Sequence, residues 1–238
     1  MLSARHSRRV LLLEGCVQSV LAPHFNVVCS RVLDRLGISV VTINGCCGAI
    51  HQHLDAHSHA QAMAKQLIDR CWPYLQTGIE AIVSTASGCG LQVKEYPELL
   101  QDDPVYAEKA RYIANLCRDV GEIIVEEDYR TLAVQTRRIA WQAPCTLQHG
   151  QRIHFKIEQL LRDLGFTLTT VANSDSCCGS AGSYSLLQTE LSEQLQQAKL
   201  EALQQQQPEL IVTANIGCWA HLREQADVPV LHWLELLD

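Results

Sequence analysis

No stretch of these 238 residues stays apolar long enough to cross a bilayer, so a membrane-spanning helix is not expected. The opening segment, MLSARHSRRVLLLEGC, carries arginines, yet its apolar run from Val10 to Leu13 stops at Glu14. That is too short for the core of a secretory signal, and the expected compartment is the cytoplasm. An excess of basic charge is also missing: 19 Lys and Arg stand against 26 Asp and Glu, a net charge of -7, which argues against nucleic acid as a partner. No Gly-x-Gly-x-x-Gly opens a helix after a strand, so no dinucleotide site for a flavin is legible. There is no Cys-x-x-Cys either, the close pairing that structural zinc sites use.

Cysteine itself is abundant. Eleven occur in a chain with no sign of secretion, and an odd number leaves at least one thiol without an intramolecular partner. Reducing conditions disfavour a disulfide framework, which leaves metal or redox chemistry as the leading explanation. Two of the cysteine sites are doublets flanked by glycine, Asn44-Gly45-Cys46-Cys47-Gly48-Ala49 and Asp175-Ser176-Cys177-Cys178-Gly179-Ser180. Tight loops around a bulky ligand need the positive φ or close approach that glycine allows.

The doublets belong to an internal repeat. Residues 79–89 align without a gap on 208–218, and Arg9 to Cys16 on Arg138 to Cys145, both at an offset of 129 (218 minus 89). Two domains are expected, 1–125 and 126–238. In the first, periodicity predicts strands at Val10–Leu13, Ile38–Ile43 and Ala81–Thr85, with helices near Val20–Leu36 and Ala60–Leu75. In the second it predicts strands at Ile139–Gln142, Phe166–Ala172 and Leu210–Ala214, with helices at Ile153–Leu164 and Leu186–Gln206. Pro104–Val120 reads as a further helix and Val230–Trp233 as a last strand. Apolar strands alternating with helices imply an α/β fold: two tandem pseudo-symmetric three-layer units with short parallel sheets.

On that scheme Cys16, Cys46, Cys47 and Cys89 each follow a strand of the first copy, and Cys145, Cys177, Cys178 and Cys218 follow strands of the second. Parallel strands end on one edge of a sheet, where open α/β folds build their sites, so four thiols per copy should converge. A doublet suits a polynuclear cluster better than a single ion, and thiolates in number point to iron and sulfide. A vicinal disulfide switch is the competing reading. His149 and His221 sit on the same expected edge as further metal candidates. His51, His53, His57 and His59 read as a solvated loop before a helix. Cys29, Cys71 and Cys117 have no counterpart in the other copy and read as core packing.

The doubled pattern of Cys, Cys-Cys-Gly and Cys resembles the cysteine-rich CCG domain that occurs in tandem in heterodisulfide reductases and their relatives. More closely, GCVQ at 15–18, GCCGA at 45–49, SGCG at 87–90, VKEY at 93–96, LQHGQ at 147–151, CCGSAG at 177–182, TANIGC at 213–218 and HWLELLD at 232–238 resemble the iron-sulfur subunits of glycolate oxidase. Two departures stand out. The ferredoxin-like part with Cys-x-x-Cys runs that precedes the repeats in those subunits has no match here. Where the wider family often has the second cysteine of a Cys-x-x-Cys, this chain has Gln92 and His221. The resemblance implies an oxidoreductase subunit that holds an iron-sulfur cluster of 4Fe-4S type on the eight paired cysteines. It implies a flavoprotein partner that oxidises glycolate to glyoxylate, a ferredoxin-type domain or subunit, a quinone-type acceptor, and membrane association through the complex at the inner membrane. A CCG subunit of lactate utilisation, a disulfide or quinone reductase subunit, and a zinc or thiol-switch scaffold are the alternatives.

Overall fold

A computed structural model describes residues 5–132 and 134–238, so Met1 to Ala4 of the arginine-bearing opening segment lie outside the described residues. Two units divide between Ile124 and Val125. The first runs β1 (Arg8–Leu13), α1 (Gln18–Leu21), α2 (His24–Arg35), β2 (Ile38–Ile43), α3 (Ala49–His53), α4 (His57–Leu75), β3 (Ala81–Ser84), α5 (Ser87–Lys94), α6 (Tyr96–Leu99), α7 (Ala107–Leu116), β4 (Cys117–Asp119) and α8 (Val120–Ile124). The second runs β5 (Arg138–Gln142), a π-helix (Thr146–Gly150), α9 (His154–Asp163), β6 (Thr167–Leu168), α10 (Tyr184–Leu187), α11 (Thr189–Gln204), β7 (Leu210–Thr213), α12 (Ile216–Leu222) and β8 (Val230–His232).

Each unit is a parallel four-stranded sheet, in the orders β2-β1-β3-β4 and β6-β5-β7-β8. The central strands are apolar throughout because both of their faces are covered: Val10 to Leu13, Ala81 to Val83 and Leu210 to Val212 are all buried. The repeat extends to register. β1 meets β3 at Val10↔Ala81 and β5 meets β7 at Ile139↔Leu210, positions that correspond across the two copies. At the start of these strands the Arg9 guanidinium donates to the Thr77 carbonyl, and the Arg138 guanidinium donates to the corresponding Gln206 carbonyl at 2.7 Å.

Several elements differ from the sequence reading. The helix expected over Val20–Leu36 is two helices separated at Ala22 and Pro23, where proline supplies no backbone donor to continue the first. Pro104–Val120 is helical over α7 and again only at Val120, where α8 begins; between them Cys117–Asp119 pairs with β3 as an edge strand. Phe166–Ala172 pairs only over Thr167–Leu168. Leu186–Gln206 breaks at Gln188 into α10 and α11. His51 and His53 close α3 and His57 and His59 open α4, rather than lying in a loop. Among the described residues no helix is long and apolar enough to cross a membrane.

Candidate functional site

In the first unit, β1 and β3 are neighbours whose connections leave in opposite directions along the sheet, and the crevice beyond their carboxyl ends is where such folds bind ligands. Cys16 follows β1 through Gly15 at φ +68°, the doublet Cys46-Cys47 follows β2, and Cys89 lies in the first turn of α5 after β3. The doublet splits its two sulfurs. Cys46 Sγ accepts from Cys16 Sγ at 3.4 Å, whereas the buried Cys47 turns inward and donates to Cys89. With Cys46 and Cys47 also joined, the four sulfurs form one connected row, 16–46–47–89.

The second unit repeats this row residue for residue. Cys145 donates to Cys177, Cys177 is joined to the buried Cys178, and Cys178 Sγ donates to Cys218 Sγ at 3.2 Å. Cys218 sits in the first turn of α12, which Asn215 caps by accepting from the Gly217 amide at 2.8 Å. The eight cysteines singled out in the sequence are thus brought together as two sets of four.

Both doublet loops depend on the glycine that follows. Gly48 and Gly179 have φ of +86° and +93°, and a Cβ added at Gly179 would lie 2.4 Å from the Ser192 carbonyl oxygen. Further supports were not visible in the sequence. The buried Tyr96, last residue of the VKEY stretch, donates its hydroxyl to the Cys47 carbonyl at 2.9 Å. Lys199 of α11 donates to the Ser174 carbonyl at 2.8 Å, fixing the loop ahead of the second doublet. Arg70 of α4 does the same for the first, donating to the Asn44 carbonyl at 2.9 Å.

Hydrogen bonding among the thiols polarises each row. Cys46 is pulled down to about 2, first by the proton Cys16 donates and then by its bond with Cys47. Cys177 is pulled down to about 2 in the same way by Cys145 and Cys178. The donors Cys16, Cys47, Cys145 and Cys178 are pushed up correspondingly. Each unit therefore presents thiolate character at the outer sulfur of its doublet, the state in which sulfur ligates metal. By contrast Cys29, Cys71 and Cys117 are buried in the core, and desolvation pushes Cys71 and Cys117 up to about 12.

The histidines are placed differently. His149 is exposed on the π-helix, and no hydrogen bond joins it to the thiols among the described residues. His221 lies one turn beyond Cys218, its Nε2 3.2 Å from the Ser192 hydroxyl and close to Gly179. Among the described residues no three His, Cys, Asp or Glu side chains are grouped to close around a single metal ion. Four sulfurs in a row, on loops freed of side chains by glycine and without a carboxylate among them, fit the donor set of a thiolate-held iron-sulfur cluster.

The chain is 48% identical over 237 residues to the glycolate oxidase iron-sulfur subunit of Escherichia coli, covering 98% of this chain and 58% of that protein. It is 30% identical to the probable glycolate oxidase iron-sulfur subunit of Bacillus subtilis, covering 91% of this chain and 49% of the relative. The chain thus spans about half the length of these curated relatives. Lactate utilization protein A of Bacillus velezensis is 26% identical, with 97% of this chain and 99% of that protein covered. Among solved structures, a hypothetical protein from Helicobacter pylori shares the fold at a TM-score of 0.66 and 10% identity, covering 97% of this chain and 48% of its own. The profile of the cysteine-rich domain CCG matches twice, over residues 10–94 and 139–223, and each match spans one complete row of sulfurs. By that double match the chain belongs to the family of cysteine-rich CCG domain proteins.

Proposed function

We propose that this chain is the electron-transferring iron-sulfur portion of a dehydrogenase that oxidises glycolate to glyoxylate. The observation that carries the reading is the 48% identity to a glycolate oxidase iron-sulfur subunit along 98% of the chain. Cys16, Cys46, Cys47 and Cys89 would hold a cluster of 4Fe-4S type in the first unit, and Cys145, Cys177, Cys178 and Cys218 in the second. Such a cluster supplies one-electron transfer. The chain's own residues contribute thiolate donors at Cys46 and Cys177, backbone room at Gly48 and Gly179, and loop anchors at Tyr96, Arg70 and Lys199.

A 2-hydroxy acid gives up two electrons and needs a cofactor that takes both, and no such site is legible in this chain. A flavoprotein partner fills that role in the proposal. A ferredoxin-type domain or subunit relays electrons, a quinone-type acceptor receives them, and the complex works in the cytoplasm at the inner membrane. A second reading, a subunit of lactate utilisation, is favoured by one observation: the chain covers 99% of lactate utilization protein A from end to end. Dye reduction separates the two. With this chain alone neither substrate should turn over, and with the flavoprotein subunit added glycolate should reduce the dye faster than lactate. Robust turnover of glycolate by the chain alone would place the chemistry in this chain and overturn the proposal.

A further inference from the structure

Lys199 is a cation buried without a carboxylate. It is 1% exposed within α11, its ammonium donates to the Ser174 carbonyl at 2.8 Å, and it forms no ion pair with Asp or Glu among the described residues. The groups that bear on its charge are the thiols of Cys145, Cys178 and Cys218, with Asp175 in the adjoining loop. A buried ammonium with no counterion is strongly unfavourable, so a polypeptide that keeps one holds its anion elsewhere. Here that charge is supplied by the thiols of the second row together with the Asp175 carboxylate, next in sequence to the carbonyl that holds the ammonium.

The first unit offers an internal comparison. Arg70 occupies the corresponding position of α4, 129 residues earlier (199 minus 70), and likewise donates to a carbonyl ahead of the doublet. It is exposed, however, and lines an open cleft of about 340 Å³ with Cys16, Asn44, Cys46 and Gln66. Water screens its charge, whereas the charge of Lys199 acts through protein. Position is duplicated while dielectric surroundings are not.

We propose that Lys199 is the resident countercharge of the second set of thiols and raises the reduction potential of the centre they hold. The inference rests on the iron-sulfur reading above. One-electron reduction, with the flavoprotein partner as donor, adds one negative charge to that centre and makes or breaks no bond. A fixed ammonium beside the sulfurs stabilises the reduced form more than the oxidised one. Lys199 is thus a positioning and tuning residue.

The test uses the full chain, loaded with iron and sulfide under anaerobic conditions, as wild type, Lys199→Gln, Lys199→Arg and Arg70→Gln. Iron and sulfide are assayed first, and each protein is then titrated with dithionite while the paramagnetic signal is followed. In Lys199→Gln the reduced-to-oxidised ratio of one centre at its wild-type midpoint should fall at least tenfold, which is about 59 mV for a one-electron couple. Lys199→Arg should stay close to wild type, and Arg70→Gln should shift less than Lys199→Gln. An unshifted midpoint in an iron-replete Lys199→Gln protein would overturn the inference, as would equal shifts in the Gln and Arg variants. If Lys199→Gln loses iron, retention in Lys199→Arg supports the countercharge, and equal loss in both refutes it. A wild-type chain that takes up no iron would instead remove the iron-sulfur reading and this inference with it.

Discussion

In the proposed reading Cys46 and Cys178 are iron ligands, each from one of the two doublets. Serine keeps the approximate size of cysteine but is a poor iron ligand at neutral pH, so Cys46→Ser or Cys178→Ser should lower bound iron far more than serine at Cys29, Cys71 or Cys117. Equal iron in all five variants, measured with sulfide after anaerobic loading, would refute the ligand assignment. Asp119 makes a separate residue-scale prediction. It is 1% exposed, burial pushes its carboxyl up to about 7, and its Oδ2 has no hydrogen-bond partner among the described residues. Its folded pKa lies above its unfolded one, so the folded state holds the proton more tightly. Stability is full below about pH 4 and falls as pH rises through 7, by up to about 4 kcal/mol. Urea unfolding at pH 5 and pH 8 should show about 3 kcal/mol of that loss in wild type and not in Asp119→Asn. An equal pH dependence in both would show that the carboxyl titrates normally. The eight thiols were legible because they repeat, whereas Asp119 and Lys199 gave no signal, since burial of a charged side chain is written in its neighbours and not in its own codon.

Among the elements, the loops after β2 and β6 depend on glycine to different degrees. Alanine at either position meets a positive φ, costing about 1–2 kcal/mol. At Gly179 the added Cβ also lies 2.4 Å from a backbone oxygen, against 3.1 Å from the Ala60 carbonyl at Gly48. Gly179→Ala should therefore destabilise more than Gly48→Ala, by about 1 kcal/mol or more, and thermal melts of the two variants will rank them. The reverse order would mean that the second loop relaxes freely. The same physics governs what could be read in advance. Strands β1, β3, β5 and β7 were visible as apolar runs because they are buried on both faces, whereas β2 was visible through its β-branched residues although only Ile38 and Ile43 are buried. Strand β4 was not, because Cys-Arg-Asp is short and polar and continues a helical pattern. Strand β6 was overread because Phe166–Ala172 is apolar enough for a strand, yet only its first part finds a partner.

Taken whole, the molecule carries two sets of sulfurs, each assembled from the strands of its own unit. Sites that share no ligand should load independently. Cys46→Ser and Cys178→Ser should each remove about half of the iron, and the double variant nearly all of it. Complete loss on a single substitution would show that the two sets act as one. The rows themselves also bear on how such a protein keeps. Sulfurs held 3.4 Å and 3.2 Å apart need to close only to about 2.05 Å to form a bond. When empty and exposed to dioxygen, Cys16 with Cys46 and Cys178 with Cys218 are set to become disulfides, each giving up two electrons and two protons to the oxidant. Reductant reverses that change, but further oxidation to sulfinic acid is permanent. The age of a preparation, counted in hours of air, thus becomes part of its composition.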